Sequence, residues 1–516
     1  MKKYDLNKTP QIKNLKELVA LRVTMPNKIA FRYKKKKEII EVTAKQFKRE
    51  IECLGTYLYE CGIQDKKIAL IGENSYFWIL SYFSVVNGGN VVVPIDKELS
   101  ITDIAGLIQQ SGVSALIFAD TYMDIAENHK HLKQFNMKNF EKYIADGKQM
   151  IDSGNKAYLN YEINNEKLCS IIYTSGTTGV PKGVMLNHKN FVSDIISSCE
   201  YVDIADSSML TLPLHHTFAF STSILSMLLK GVTISINSSL RTFKQDLKDF
   251  KPQNMFLVPL YVETMYKNIW TIAEERNKTN LLKTMIKISN ILRKIGIDIR
   301  KKAFKSILNE FGGKLDLIIT GGAAINEKYI KGFDDFGIIV LNGYGITECA
   351  PVVSVNRNKY PVSESVGLIL SCNQVKEKNG EILVKGDNVM LGYYKDREAT
   401  QEAFDDNWFK TGDLGYIKNN YLFITGRKKN LIILSNGKNV SPEELEEKIQ
   451  QIENVIEVIV YAEEDIITAE IYAENQNGIQ SNINKLNKTL PLYKQIQKVK
   501  FRSHEFVKTT TKKIKR

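Results

Sequence analysis

Tyr173-Thr174-Ser175-Gly176-Thr177-Thr178-Gly179-Val180-Pro181-Lys182-Gly183 is the stretch around which this 516-residue chain is organised. The apolar run at residues 168–173 predicts a buried strand, so the loop that follows leaves the edge of a sheet. Its glycines let backbone N–H groups approach phosphate oxygens, its hydroxyls add donors, and Lys182 adds a positive charge. The stretch therefore predicts a polyphosphate site, with a polar surface turn as the alternative.

Two features distinguish this loop from a Walker A loop. No Gly-Lys-Ser/Thr sequence closes it, and Val184-Met185-Leu186 predicts a strand. A Walker A loop leads into a helix instead. We therefore expect a different mode of phosphate binding.

Composition is that of an ordinary globular protein with room for two or more domains, at 43% hydrophobic and 25% charged residues. The first residues carry no apolar signal region, and the longest apolar run, Tyr76–Val86, is too short to span a bilayer. We therefore expect a cytoplasmic protein. Six cysteines without a C-x-x-C pair favour packed, reduced thiols over disulfides or zinc.

The formal net charge of +13 is compatible with a nucleic acid, a membrane surface or an anionic substrate as partner, and equally with a solvated surface. The basic residues are dispersed and no RNA- or DNA-binding module is present in the sequence, so no nucleic-acid partner is expected. The densest basic segment is 271–311, where one helix face is predicted to carry Leu281, Met285, Ile288, Leu292 and Ile295. A packed helix pair, peripheral membrane contact and contact with an acyl carrier's phosphates remain open there.

Strand and helix patterns alternate before the loop. We predict helices at 43–62, 76–86 and 101–110 and strands at 68–71, 90–95 and 115–119, with Thr43 and Gln46 as a capping box. Such alternation predicts parallel sheets covered on both faces. Strands at 315–320 and 338–341 end in Gly321-Gly322-Ala323 and Asn342-Gly343-Tyr344-Gly345, and open α/β sheets bind ligands at such strand ends.

From residue 380 onward the pattern turns to short strands and turns. A charged, glycine-led joint, Gly426-Arg427-Lys428-Lys429-Asn430, precedes a new strand, helix and strand series. We therefore predict two domains, residues 1–426 and 427–516.

These motifs, in this order, resemble the adenylate-forming superfamily of acyl-CoA synthetases, nonribosomal peptide adenylation domains and beetle luciferases. The resemblance covers nearly the whole chain, and Phe311-Gly312-Gly313-Lys314 followed by Gly321-Gly322-Ala323 looks most like long-chain fatty acyl-CoA synthetases. It implies an α/β fold. A large N-terminal domain of parallel-type sheets covered by helices, with a small barrel-like β region, would precede a small mobile α+β C-terminal domain.

The resemblance implies an ATP-dependent, AMP-forming ligase that activates a medium- to long-chain fatty acid as acyl-adenylate and transfers it to CoA. ATP and CoA would be co-substrates and Mg²⁺ the cofactor, bound by Glu348 and Thr174. The catalytic residues would be Lys513, Glu348, Thr347, Lys182 and His216. The nucleotide would be bound by Thr174, Ser175, Gly176, Thr177, Thr178, Lys182, Gly321, Gly322, Ala323, Asn342, Gly343, Tyr344, Gly345, Thr347, Asp413, Arg427 and Lys513.

The same resemblance implies an acyl pocket with His216, Phe218 and Phe220 and a hinge at Lys429. The sequence departs from the family pattern near Lys513, where Val507 and Lys512 replace a usual Pro and Gly. Two alternatives therefore stay open: transfer of the acyl group to the pantetheine of a carrier protein, and a non-catalytic nucleotide-binding protein.

Overall fold

The computed structural model describes residues 5–36, 38–174, 181–237, 239–435, 438–463, 466–508 and 514. The α-helices, in chain order, are α1 Leu15–Arg22, α2 Ala44–Glu60, α3 Tyr76–Val86, α4 Ile101–Ser111, α5 Met123–Asn128, α6 Phe140–Asp152, α7 His188–Tyr201, α8 Thr217–Phe220, α9 Ser226–Leu229, α10 Phe243–Phe250, α11 Pro259–Glu275, α12 Thr279–Lys294, α13 Arg300–Ala303, α14 Lys305–Glu310, α15 Glu327–Asp335, α16 Arg397–Ala403, α17 Pro442–Gln450 and α18 Ile479–Asn487.

The β-strands, in chain order, are β1 Ile29–Lys35, β2 Glu38–Thr43, β3 Lys67–Ile71, β4 Val91–Pro94, β5 Ala115–Phe118, β6 Lys133–Asn136, β7 Leu168–Thr174, β8 Lys182–Asn187, β9 Ser207–Leu210, β10 Thr233–Ile236, β11 Asn254–Leu257, β12 Leu317–Thr320, β13 Ile339–Gly345, β14 Val352–Val355, β15 Leu368–Ile369, β16 Asn373–Lys378, β17 Glu381–Gly386, β18 Gly392–Tyr393, β19 Phe404–Asp405, β20 Trp408–Lys418, β21 Tyr421–Arg427, β22 Ile432–Ile433, β23 Asn439–Val440, β24 Glu457–Glu463, β25 Ile466–Tyr472 and β26 Lys498–Arg502.

The predicted elements before the glycine-rich loop are confirmed, in the order α2, β3, α3, β4, α4 and β5. Helix α3 begins where Ser75 accepts a hydrogen bond from the Trp78 N–H, which satisfies a donor that the first turn leaves open. Thr43 caps α2 in the same way by accepting from the Gln46 N–H at 3.1 Å. The Gln46 side chain donates to Glu50 instead, so only one half of the predicted capping box forms.

The chain divides into two compact units. The first comprises Met1–Ser363, Gly367–Gln374 and Lys385–Phe404, and the second comprises Glu364–Val366, Val375–Val384 and Asp405–Arg516. The boundary between residues 426 and 427, predicted where the strand and helix pattern restarts, stays a prediction.

Two sheets form the frame of the first unit. One has the strand order β18-β8-β7-β4-β3-β5-β6, in which β3 to β7 run parallel and β8 is antiparallel to both of its neighbours, β7 and β18. The other contains β15-β14-β13-β12-β11-β9-β10-β1-β2, with parallel pairing from β13 to β1. Strand β8 follows the glycine-rich loop directly, which confirms the predicted difference from a Walker A loop.

Helices α11 to α14 form the basic segment. Leu282 of α12 is buried in a core cluster, and Met285 and Ile286 pack against that cluster. Leu281 and Ile288, by contrast, are exposed. The face predicted to carry Leu281, Met285 and Ile288 is therefore packed only along one edge: Met285 contacts the core cluster, whereas Leu281 and Ile288 are exposed to solvent.

The second unit has the strand order β16-β17-β20-β21, a β22-β23 pair and a sheet of β24, β25 and β26. A separate apolar core lies among the last of these strands and the helices α17 and α18, with Leu445, Ile449, Val460, Ile471 and Ile483 at its centre. This unit therefore has a core of its own.

The cysteines are packed as expected for reduced thiols, since four of the six are buried. All six cysteines lie in the described part of the chain and are free, and burial raises the pKa of Cys199 to about 12. Over the described ranges, no helix has both the length and the apolar character that crossing a membrane requires.

His188 should make folding sensitive to acid. It is the first residue of α7, and its Nδ1 accepts the Leu15 N–H at 3.4 Å. Burial lowers the pKa of His188 to about 4, below the unfolded value of about 6.5. The group therefore contributes stability above pH about 6.5, and about 3 kcal/mol of it should be lost as the pH falls toward 4.

Denaturant titrations across this pH range test the expectation. His188→Gln keeps an acceptor for Leu15 and should flatten the pH dependence of the free energy of unfolding. His131→Gln, at an exposed site, should leave it unchanged. If the free energy of unfolding depends on pH equally in both variants, His188 is not the group responsible.

Candidate functional site

Strands β7 and β8 frame the glycine-rich loop. Their antiparallel register pairs Thr174 with Lys182, and the Thr174 hydroxyl donates to the Lys182 carbonyl at 3.4 Å. Two predicted phosphate ligands therefore face each other at the two ends of the loop. The predicted ligands Ser175, Gly176, Thr177 and Thr178 lie outside the described residues.

Tyr393 connects Lys182 to Glu348. The Lys182 Nζ lies 5.0 Å from the centroid of the Tyr393 ring, and the Tyr393 hydroxyl donates to the Glu348 Oε1 at 2.9 Å. The backbone supports both contacts, because β18 pairs with β8 and the Met390 N–H donates to the Glu348 carbonyl at 2.8 Å. The structure thus brings three predicted site residues, Thr174, Lys182 and Glu348, into one chain of contacts.

Burial and the neighbouring Glu348 carboxylate raise the pKa of Tyr393 well above its ordinary value. The phenol therefore remains a hydrogen-bond donor at every physiological pH. Sequence reasoning missed this residue, since no local motif marks Gly392-Tyr393 and the pairing joins strands about two hundred residues apart.

Thr347 and Glu348 lie on a single 3₁₀ turn, Thr347–Cys349, just after β13. The turn is held from behind, because the Ser221 hydroxyl donates to the Ala350 carbonyl at 2.7 Å and Asp194 accepts the Val352 N–H at 2.8 Å. Both side chains remain partly exposed. A fixed carboxylate beside a hydroxyl is a suitable partner for a hydrated divalent cation and for phosphate oxygens.

The predicted adenine-binding segments meet at the ends of two adjacent parallel strands. Strands β12 and β13 pair Thr320 with Asn342, so Gly321 and Gly343 lie side by side. A Cβ on Gly321 would come within 3.3 Å of the Gly343 carbonyl oxygen, and one on Gly345 would lie 2.2 Å from the Pro351 carbonyl. Glycine is therefore required at 345, and the strip beside Tyr344 presents bare backbone to a ligand.

A pocket of about 690 Å³, a volume that includes space open to solvent, lies beside this strip, and its exposed lining is almost wholly apolar. Part of the wall is the helical run from α8 to α9, which contains a π-helical segment, Ser221–Leu225. Such segments occur frequently at functional sites. The lining residues are Ser198, Cys199, Val202, Ile204, Phe218, Thr222, Ser226, Met227, Phe256, Ile319, Thr320, Gly321, Gly322, Gly343, Tyr344, Gly345, Pro351, Val352 and Val355.

Of the two phenylalanines predicted for the acyl pocket, the structure brings only Phe218 to this cavity. Phe220 is buried, and its ring centroid lies 4.0 Å from that of Tyr82. The two side chains are two residues apart on a helix and therefore point in different directions. Phe220 supports the core behind the wall.

His216 lies at the N-terminal end of α8, where its carbonyl accepts the Phe220 N–H at 3.0 Å. Its ring stacks obliquely on His215 with centroids 4.1 Å apart, and the His215 Nε2 lies 3.4 Å from the Asp96 Oδ1. Ligand atoms of these three residues lie within 4.8 Å of one another, so they could hold a metal ion. Sequence reasoning missed Asp96, although it lies only two residues after the end of the apolar strand β4.

The predicted ribose ligands lie in the second unit. Asp413 pairs with Arg427 across β20 and β21, and the Arg427 Nε donates to the Asp413 Oδ1 at 2.9 Å. The Thr411 hydroxyl accepts the Asp413 N–H at 3.1 Å, and Glu381 accepts the Gly412 N–H at 3.1 Å. Asp413 is buried and Arg427 is exposed, so the pair presents a guanidinium to solvent with a fixed carboxylate behind it.

Two further predicted residues lie near the ends of this unit. Lys429 is exposed in the 3₁₀ turn Lys428–Asn430, which follows β21. Lys513 lies outside the described residues. The chain just before it is anchored, because the Lys508 ammonium forms ion pairs with Glu457 and Glu505.

A protein-family model described as AMP-binding enzyme matches residues 20–394. The chain belongs to this family. The matched range includes Lys182, Tyr344, Glu348 and Tyr393, so the contacts described above lie within the AMP-binding enzyme match.

Named relatives agree with this membership. Long-chain-fatty-acid–CoA ligase 5 of Rattus norvegicus is 29% identical over 482 residues, which cover 82% of this chain and 69% of that protein. Chloroplastic long-chain-fatty-acid–[acyl-carrier-protein] ligase AEE15 of Arabidopsis thaliana is 27% identical, with 83% and 71% covered. The crystal structure of ATP-bound MatB from Rhodopseudomonas palustris is 22% identical, has a TM-score of 0.79 and covers 97% of each chain. The predicted α/β fold is thereby confirmed.

Replacing Tyr393 in this AMP-binding enzyme should leave the Glu348 carboxylate less firmly oriented. Tyr393→Phe removes a hydrogen bond to a carboxylate, which is typically worth about 1.5–3 kcal/mol, so we expect an activity loss of about 10- to 100-fold. The variant should also need more Mg²⁺ for half-maximal rate. Acid-dependent exchange of pyrophosphate into ATP, measured over a Mg²⁺ series, gives both values.

Tyr394→Phe is the matched control for that experiment. Its hydroxyl donates to the Ser111 carbonyl at 3.1 Å, away from Glu348. It should keep the Mg²⁺ dependence of the parent enzyme. If both variants lose activity and require more Mg²⁺ to the same extent, Tyr393 does not position Glu348.

Proposed function

We propose that this member of the AMP-binding enzyme family is an ATP-dependent, AMP-forming acyl-CoA ligase for medium- to long-chain fatty acids. The observation that carries the proposal is the apolar cavity, because it adjoins the glycine strip proposed for adenine and the turn with Thr347 and Glu348. An apolar chain in this cavity would have its carboxylate near the polar residues. The names of the relatives from rat and Arabidopsis support an acyl substrate.

The first half-reaction joins two anions. The fatty acid carboxylate attacks the α-phosphate of ATP, the bond to the bridging oxygen breaks, and pyrophosphate leaves. Charge must be neutralised as these groups approach, and fixed donors do this without reorganising solvent. Lys182 and the loop from Thr174 would hold the β- and γ-phosphates, Thr347 would donate to the α-phosphate, and Lys513 would bridge the reacting oxygens.

Mg²⁺ would be held by Glu348, with Thr174 as a second protein ligand. The residues fit such an ion, because Mg²⁺ takes one or two protein oxygens and completes its shell with water and phosphate. Tyr393 donates a hydrogen bond to one oxygen of the Glu348 carboxylate and so restricts its orientation. The ion would supply positive charge against the phosphates of ATP.

The nucleoside would lie between the two glycine segments. Tyr344 would stack on the adenine ring, while Gly321, Gly322, Ala323 and the backbone at 342–345 would pass close to its edge. Asp413 would accept hydrogen bonds from the ribose hydroxyls with Arg427 beside it. Lys429 would act as a hinge. Rotation about it, with 427–516 as the moving domain, would change which residues of that domain face the substrates between the two half-reactions.

In the second half-reaction a thiol attacks the acyl carbonyl and AMP leaves. His216 would orient the carboxylate in the first step, and movement of its ring would open the path for the thiol in the second. Phe218 would contact the acyl chain. The six free cysteines support a reducing compartment, and we place the reaction in the cytoplasm.

A second candidate differs only in the acceptor, which would be the pantetheine thiol of an acyl carrier protein. The Arabidopsis relative named as an acyl-carrier-protein ligase favours it. The net charge of +13 suits an acidic carrier and the phosphates of CoA equally, so charge does not distinguish the two acceptors. Both candidates share the adenylation step.

Exchange of labelled pyrophosphate into ATP, run over a series of fatty, aryl and amino acids, tests the adenylation step. We expect exchange with fatty acids and a loss of about 10²- to 10³-fold in Lys513→Ala, the scale for one electrostatic donor in a transition state. Lys512→Ala is the neighbouring control and should stay within a few fold of the parent. Thioester yields with CoA and with a phosphopantetheinylated carrier then distinguish the two acceptors. No exchange with any acid would overturn the proposal.

Ser226 offers a test of the acyl cavity. Its buried side chain lines the cavity, and the Cys199 thiol donates to its backbone carbonyl at 3.7 Å, an acceptor that every replacement keeps. Ser226→Leu would fill part of the cavity. We expect kcat/KM for long acids to fall at least about tenfold relative to short acids, because each methylene that can no longer enter the cavity loses its apolar burial energy. Ser226→Ala should retain the parent chain-length profile. A profile unchanged in Ser226→Leu would place the acyl chain elsewhere.

A further inference from the structure

Helix α12 presents a row of large apolar side chains to solvent. Leu281, Ile288, Ile291 and Ile295 are 55%, 49%, 63% and 69% exposed. Their spacings of seven, three and four residues place them on one side of the helical path. The row extends about 20 Å along the surface. We call it the α12 stripe.

The α12 stripe is not part of the core. The side of the helix that faces the core buries Leu282 and Ser289, and Met285 and Ile286 pack against the core cluster. Folding therefore does not require Leu281, Ile288, Ile291 or Ile295 to be apolar. Exposed apolar side chains in a continuous row usually indicate a surface that becomes covered.

Positive charge surrounds the stripe. Residues 278–305 contain nine Lys and Arg residues and a single acidic one, Asp298. Asp298 is neutralised by Arg300 at 2.7 Å, whose side chain also lowers the pKa of Asp298 to about 2. Within the described ranges, no ion pair joins Lys278, Lys283, Lys287 or Lys294 to a carboxylate. The surface thus combines apolar side chains with uncompensated cations.

We propose that the α12 stripe docks on the surface of an anionic lipid bilayer. The four apolar side chains enter the boundary between headgroups and acyl chains, and the lysines at 283, 287 and 294 extend their ammonium groups to lipid phosphates. A row of branched side chains on a convex helix needs no complementary groove in a fluid bilayer. A protein partner would have to provide one.

A second copy of this chain is a poorer occupant. A two-fold contact pairs identical patches, so it would bring Lys278, Lys283, Lys287 and Lys294 against the same four lysines of the second copy. Anionic lipid instead supplies the opposite charge over the whole length of the helix. The proposal concerns binding alone and does not depend on which acid the site activates.

Co-sedimentation of the full-length protein with vesicles, without ATP, tests the proposal. We expect binding to vesicles of equimolar phosphatidylglycerol and phosphatidylcholine, and weak binding to phosphatidylcholine alone. Ile288→Gln with Ile291→Gln should lower the partition coefficient at least about tenfold through lost apolar burial. Lys283→Gln with Lys287→Gln should lower it by a similar factor at low salt and less at high salt. Glutamine is a good helix former, so both exposed pairs should fold.

Matched variants complete the design. Ile39→Gln with Ile101→Gln removes two other exposed isoleucines, and Lys142→Gln with Lys148→Gln removes two exposed lysines of α6. Both should bind vesicles as the parent does. Absence of vesicle binding, or equal losses in control and stripe variants, would overturn the proposal. So would a dimer that the isoleucine variant dissociates, or a stripe variant that affects only turnover with an acidic acyl carrier.

Discussion

The antiparallel pairing of β7 with β8 is the constraint on which the rest of the site depends. It fixes Thr174 opposite Lys182 and so sets the distance that the glycine-rich loop must span. It also leaves the outer edge of β8 open to β18, whose pairing carries Tyr393 over Lys182. Because β7 continues into parallel strands on its other side, this corner is tied to the buried interior of the sheet. A rigid interior therefore positions groups that must remain accessible to phosphates.

The apolar cavity and the turn that carries Thr347 and Glu348 are built from adjacent segments of the chain. Glycine backbone at 321 and 343–345 forms one wall, and the helical run with the π-helical segment forms another. Bare backbone suits a flat aromatic base, whereas the helix offers side chains of graded size to an apolar tail. Substrates of unlike polarity can thus lie next to each other without either one burying an unpaired charge.

Sequence reasoning worked where short-range physics decides the outcome. Helix α3 has the predicted bounds because a run of mostly apolar residues follows the capping residue Ser75. It did not find Tyr393, where distant segments meet, and it could not show which way packing directs the Phe220 side chain. Apolar residues on the packed and on the exposed side of α12 recur with the same helical spacing. The sequence pattern alone could therefore not show which of them would be buried. Asp96 was within reach, since it follows a buried strand.

The hydrogen bond from Ser221 to the Ala350 carbonyl joins the first residue of the π-helical segment to the turn that carries Glu348. The wall that would sense the acyl chain is therefore coupled over 2.7 Å to the group that would hold the metal ion. A chain that fits poorly would shift the wall and, with it, the turn. We expect the enzyme to discriminate among acids through the rate of the chemical step more than through affinity, because only a well-fitting acid leaves the carboxylate aligned.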